Sequence, residues 1–171
     1  MSKLGRYSAD RKKIKQLTTT DTDVSAAGCG TLFLLDGQSY SGNAAHSVPH
    51  PSDAGKGWWC KFVVEATGAT TSQLDLGGDD CVISVRRSGM AGPSGSTHAD
   101  GTTTFLADDL LVVNLYGDIE TSPVVDQDAN TLTIKGETVA GSQVEFVCDG
   151  SKYYVLGHVV TGSSGMVTVA S

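Results

Sequence analysis

Helix-forming runs are the first thing this sequence lacks. Nowhere do Ala, Glu, Lys and Leu accumulate over the ~12 residues that a self-standing helix needs, and charged residues make up only 18% of the chain. Helical bundles are therefore excluded, and the missing heptad pattern removes coiled-coil stalks. No internal repeat of fixed period is present either, which disfavours solenoids and propellers. No apolar run reaches the length of a bilayer span, and no apolar segment follows the N-terminal charges, so neither a signal peptide nor a membrane anchor is expected.

Recognisable chemistry is scarce as well. Cys29, Cys60, Cys81 and Cys148 are widely spaced with no Cys-x-x-Cys, and three of them sit in apolar alternating runs, where a thiol packs as a small hydrophobe. His46 and His50 are four apart, but in a Pro-containing loop segment rather than on a helix, so the usual His-x-x-x-His metal geometry is missing. Asp79-Asp80 and Asp108-Asp109 lack the spaced oxygen ligands of a calcium loop and read as turns. No Gly-x-Ser-x-Gly elbow is present, and no phosphate-cradling loop leads into a helix. The expectation is a non-enzyme without metal or cofactor.

What is there is Gly, Ser and Thr between short stretches of period-two alternation. The clearest is Gln143 to Val160: Val144, Phe146 and Cys148 share one face of an extended segment, and Tyr154 and Leu156 resume the period after Asp149-Gly150-Ser151. Gly150 supplies the positive φ that such a turn requires, so this is a β-hairpin that other strands must cover. Thr31–Leu35, Gly57–Glu65, Cys81–Arg86, Leu110–Tyr116, Thr131–Lys135 and Met166–Ala170 read as further strands, together with weaker runs at Ser72–Leu76 and Thr102–Leu106. In Gly57–Glu65, aromatic and β-branched residues of both parities predict burial on both faces. Gln38–Lys56 reads as a long surface loop with room for a short strand at its start, and Ser88–Gly101 and Gly117–Ala129 read as loops. The fold class expected is all-β, a β-sandwich or jelly-roll-like barrel of about nine or ten short strands, with an extended basic N-terminal arm.

Charge divides the chain at the same place. Residues 1–16 hold six bases and one acid, leaving the other six of 12 bases and 18 of 19 acids for residues 17–171. A basic arm on an acidic β-domain points to an anionic partner for the arm, whether nucleic acid, a membrane surface or an acidic protein face, with a solvated terminus as the alternative; the acidic body repels DNA and confines any nucleic-acid role to the arm. A protein with an acidic groove suits the arm, with Tyr7 and Ile14 filling apolar pockets beside the charges.

The opening Met1 to Ile14, Leu17-Thr18 and Cys29-Gly30-Thr31 resemble the beginnings of short virion structural proteins of tailed bacteriophages, especially marine and cyanobacterial phages. The ending Val-Glu-Phe-Val-Cys-Asp-Gly-Ser-Lys-Tyr-Tyr-Val is similar to an Asp-Gly-x-x-Trp/Tyr-Tyr-Val hairpin in those proteins, with Tyr153 standing where Trp is frequent. The resemblance implies a capsid decoration or cement protein on the outer surface of the head. It implies a homotrimer whose partner is the major capsid protein, with no nucleic acid and no membrane. The docking residues expected on this reading are Lys3, Arg6, Tyr7, Arg11, Lys12, Lys13 and Lys15. The alternative is a tail-fibre or head-fibre module that contacts host glycan through the loops 38–56 and 88–101, with Trp58 and Trp59 as a stacking platform.

Overall fold

Alternation along the chain becomes two β-sheets with one shared apolar core. The structure is a computed structural model and describes residues 13–17, 21–36, 44–65, 80–86, 111–117, 124–160 and 167–170. Twelve strands lie within these residues: β1 (Lys13–Leu17), β2 (Asp21–Asp23), β3 (Thr31–Leu35), β4 (Ala44–Val48), β5 (Trp59–Val64), β6 (Cys81–Val85), β7 (Leu111–Gly117), β8 (Val124–Ala129), β9 (Thr131–Ile134), β10 (Gln143–Cys148), β11 (Tyr153–Val159) and β12 (Val167–Ala170). A single 3-10 turn (Ala26–Gly28) and one turn of helix, α1 (Pro51–Ala54), are the helical elements among the described residues. The all-β class expected from composition is what the chain forms.

The larger sheet runs β1-β3-β5-β10-β11-β7-β8 and the smaller β12-β9-β6-β4-β2. From β1 to β6 successive strands alternate between the sheets, and each new strand lies parallel to the one laid down two earlier. This half is a coil of three turns, contrary to the expectation drawn from the missing period. The reason is unequal turn length. Lys13 pairs with Thr31, 18 residues on, Asp21 with Ala45, 24 on, Thr31 with Cys60, 29 on, and Ala44 with Cys81, 37 on. Neighbouring turns stack without any repeat that a sequence could display.

The second half closes the coil with antiparallel strands. β10 lies against β5, and β9 against β6. The hairpin β10–β11 therefore sits in the middle of the larger sheet, with β11 continuing into a parallel pairing with β7. The other edges of the two sheets, β8 and β12, touch.

Inward positions of both sheets build one core cluster, including Leu35, Phe62, Ile83, Leu115, Leu132, Phe146 and Tyr153. An aromatic row crosses the larger sheet inside it. Phe33 stacks on Phe62 at 5.3 Å between ring centroids, Phe62 meets Phe146 edge-on at 5.7 Å, Phe146 meets Tyr153 at 6.0 Å, and Tyr153 meets Trp58 at 5.7 Å. Each pair adds about 0.5–1.5 kcal/mol beyond the area it buries, so the row ties the coil to the hairpin.

Several strand readings change in the structure. β4 and α1 lie in the segment read as a loop, and β8 in the loop read from 117 to 129. β5 buries Cys60, Phe62 and Val64 while Trp59, Lys61 and Val63 are only half-buried, so its second face is not core. The weaker runs at 72–76 and 102–106 lie outside the described residues.

Candidate functional site

Of the seven residues expected to dock a partner, Lys13 and Lys15 fall in the described part, and Lys3, Arg6, Tyr7, Arg11 and Lys12 lie outside it. Both lysines are on β1, the edge strand of the larger sheet, so the boundary drawn between residues 16 and 17 falls inside a strand. β1 forms because it can pair with β3 on one side, Lys13 opposite Thr31 and Leu17 opposite Leu35. Only Leu17 is buried; Lys13, Ile14, Lys15 and Gln16 are exposed.

Two contacts fix the C-terminal end of β1 to the body. The Leu17 carbonyl accepts the Asp36 N–H at 3.4 Å, and Gln16 Nε2 donates to Asp36 Oδ2 at 3.2 Å and to Glu65 Oε2 at 2.7 Å. Gln16 thus bridges the ends of β3 and β5, and the two lysines stand further along the edge. The ion pairs among the described residues are Lys61–Glu145, Arg86–Asp23 and Lys135–Asp80, so Lys13 and Lys15 are in none of them. Lysines on an edge strand also discourage indiscriminate strand addition.

The hairpin is the other region singled out from the sequence. Cys148 pairs with Tyr153, Gly150 has φ 99°, and Asp149 Oδ1 accepts the Ser151 N–H at 2.7 Å, the Lys152 N–H at 2.8 Å and the Ser151 hydroxyl at 2.8 Å. Those bonds, the Lys152 N–H first, hold the Asp149 carboxyl down at about 2. Tyr153 is fully buried and its hydroxyl donates to the Pro49 carbonyl at 2.8 Å, so burial pushes its phenol up. Across the four-residue connection the parity changes: Tyr153 and Val155 join the core, and Tyr154 and Leu156 face outward, exposed.

The remaining sequence candidates resolve into structural roles. Trp58 is buried and its Nε1 donates to the Ala26 carbonyl at 2.9 Å; Trp59 is half-buried on the outer face of the larger sheet. His46 is buried in β4, while His50 caps α1, its Nδ1 accepting the Ser52 N–H at 3.2 Å with the Ser52 hydroxyl 2.7 Å away. That Ser–His contact spans two residues of one cap, and no described residue orients the imidazole as a catalytic base would require. Asp80 receives Lys135 at 2.9 Å and the Gly136 N–H at 3.0 Å. Among the described residues no group of three or more His, Cys, Asp or Glu side chains is placed to hold a metal ion. All four cysteines are free thiols; Cys60, Cys81 and Cys148 are buried, and desolvation raises all three above the ordinary thiol range.

His98, Asp79, Asp108 and Asp109 lie outside the described residues, as does the whole of the loop 88–101. Sequence reasoning passed over Tyr116, Tyr154 and Leu156 as surface residues. Their alternation with core positions was visible, but the side that Tyr154 and Leu156 occupy depends on the length of the hairpin connection, and that of Tyr116 on which parity of β7 faces the core. No protein-family description, curated protein or solved structure matches the chain.

Proposed function

We propose that this chain is a non-enzymatic structural protein of a phage particle, a capsid decoration or cement protein docked on the outside of the head through its N-terminal segment. The observation that carries the proposal is the edge strand β1, with Lys13, Ile14 and Lys15 exposed together and Gln16 and Leu17 anchored to the body. A basic edge strand suits an acidic seam between capsid subunits. The lysines supply attraction that is screened by salt, and Ile14 between them falls on the other side of the strand. Lys3, Arg6, Tyr7, Arg11 and Lys12 precede β1 and extend the same basic surface in sequence.

The body contributes stiffness. Strands in two sheets around one core, with three of the four thiols buried, transmit load between contact points without any chemical step. Each docking segment binds modestly, and repetition over a capsid lattice multiplies the effect through effective concentration. The test is the amount of this protein in purified particles relative to the major capsid protein, measured by mass spectrometry. A ratio near one chain per capsid subunit supports decoration; a few chains per particle contradicts it.

A further inference from the structure

The two outer faces of the molecule differ in what they present. On the smaller sheet the outward positions are small and polar, yet Ser47 and Ser84 are buried. On the larger sheet they are mixed: polar groups such as Gln143, Asn114 and His158 alternate with half-buried Trp59, Val147 and Val112 and with large apolar side chains that are exposed. Val147 lies between Trp59 of β5 and Tyr154 of β11, and Tyr154 lies beside Val112 of β7. Leu156 follows Tyr154 on the same side, and Tyr116 sits beside His158 on the next outward row. All the exposed large hydrophobics among the described residues belong to this face: Ile14 at 65%, Tyr116 at 59%, Leu156 at 48% and Tyr154 at 44% of full exposure. Between Ile14 and Leu156 the row carries Lys61 and Glu145, which neutralise each other at 3.0 Å.

We propose that this face is the contact surface for a second copy of the chain, packed sheet to sheet across a two-fold axis. Charge selects the occupant. The chain carries a net −7, so two copies repel over most of their surface. Here Lys61 and Glu145 cancel, and Glu65, bonded to Gln16 at the end of β5, leaves one charge at the margin, so the face repels its own image less than the rest of the surface does and offers a charged partner little. Area agrees. Seven strands spaced ~4.8 Å apart, with about five residues each at ~3.3 Å, give a face of roughly 500 Å². Two such faces bury on the order of 1,000 Å² together, at the lower bound of a specific interface. A flat patch on one side of the molecule pairs isologously and closes at two copies. The two-fold contact differs from the trimer implied by resemblance, and it does not depend on capsid docking.

Sedimentation of the full chain over a range of concentrations tests the proposal. The expected result is a reversible shift from 17.7 kDa to twice that mass. Added salt should strengthen the association, because repulsion is screened and apolar burial is retained. Leu156→Lys and Tyr116→Glu, in separate chains, each place a charge where the side chain is already exposed, so the fold is retained, as circular dichroism verifies. Each should weaken association at least tenfold, and should one fail to fold the other decides. Lys13→Glu/Lys15→Glu should keep the two-chain mass, which separates this contact from docking by β1. A single-chain mass at every concentration, a three-chain mass, dissociation by salt, or wild-type association in a folded Leu156→Lys or Tyr116→Glu chain would overturn the proposal.

Discussion

The first six strands and the last six reach one core by different routes. In β1 to β6 the chain crosses from one sheet to the other at every step, and partners are parallel and 18 to 37 residues apart. In β7 to β12 the hairpins β7–β8 and β10–β11 are local, Cys148 pairing with Tyr153 across one short connection. Local pairing leaves a signature in neighbouring residues, whereas a coil records its partners only at a distance. The coil also ends in the edge strand β1, while at the opposite side of the molecule the edges β8 and β12 meet. On the proposed reading docking falls to the half that ends in β1, and the central hairpin lies in the other half.

The sharpest way to break the second half is at Gly157. A Cβ there would fall against the Gln143 carbonyl oxygen and lie 2.9 Å from Val144 Cα, both rigid backbone of the paired strand. Gly157→Ala should force β11 away from β10 and cost about 3 kcal/mol or more in urea unfolding. A wild-type midpoint would mean that the β10–β11 pairing is looser than described.

The coil is held by a smaller tie. Arg86, nearly buried, donates from one guanidinium nitrogen to the Val24 carbonyl at 2.5 Å and sits 4.0 Å from Asp23, which also accepts a short hydrogen bond from Ser47. Asp23→Ala removes the anion that faces a largely desolvated cation and should cost about 2 kcal/mol, less than a fully buried pair because Asp23 is partly exposed. An effect as large as that of Gly157→Ala would erase the contrast between the halves.

A third effect is confined to the hairpin turn and depends on pH. The Asp149 carboxyl titrates at about 2 in the folded chain, below its ordinary 3.8. A depressed carboxyl stabilises the fold above its unfolded value, and that contribution is lost as the pH falls from about 4 through 2. Asp149→Ala should flatten this part of the stability profile, and an unchanged acid limb would contradict the hydrogen bonds assigned to the turn.

Legibility followed the same division. Thr31–Leu35 was readable to the residue because a short apolar run is bounded by Gly28-Cys29-Gly30 and Asp36-Gly37, and the hairpin because its turn chemistry and its alternation agree. β4 was not: Ala-Ala-His-Ser-Val is buried at every position, and small or polar residues covered on both faces leave no two-residue pattern. β8, Val-Val-Asp-Gln-Asp-Ala, carries two acids in six residues and resembles a loop by composition. β1 was concealed by its exposure, since an edge strand that buries only Leu17 looks like a solvated basic tail. Charge located Lys13 and Lys15; that they stand on a paired strand became visible only when β3 lay beside them. The apolar outer face was hidden differently, since alternation separates two sides without saying which is core.

The most direct test of docking by β1 is the loading of full-length chain onto purified heads that lack it, comparing wild type with Lys13→Glu/Lys15→Glu. Both substitutions sit on exposed side chains of a strand anchored at Gln16 and Leu17, so unfolding midpoints should agree within about 0.5 kcal/mol. The account predicts that wild type saturates the heads and loads less as salt rises, and that the charge-reversed chain fails to bind. Equal loading by the two chains, with both folded, would contradict it.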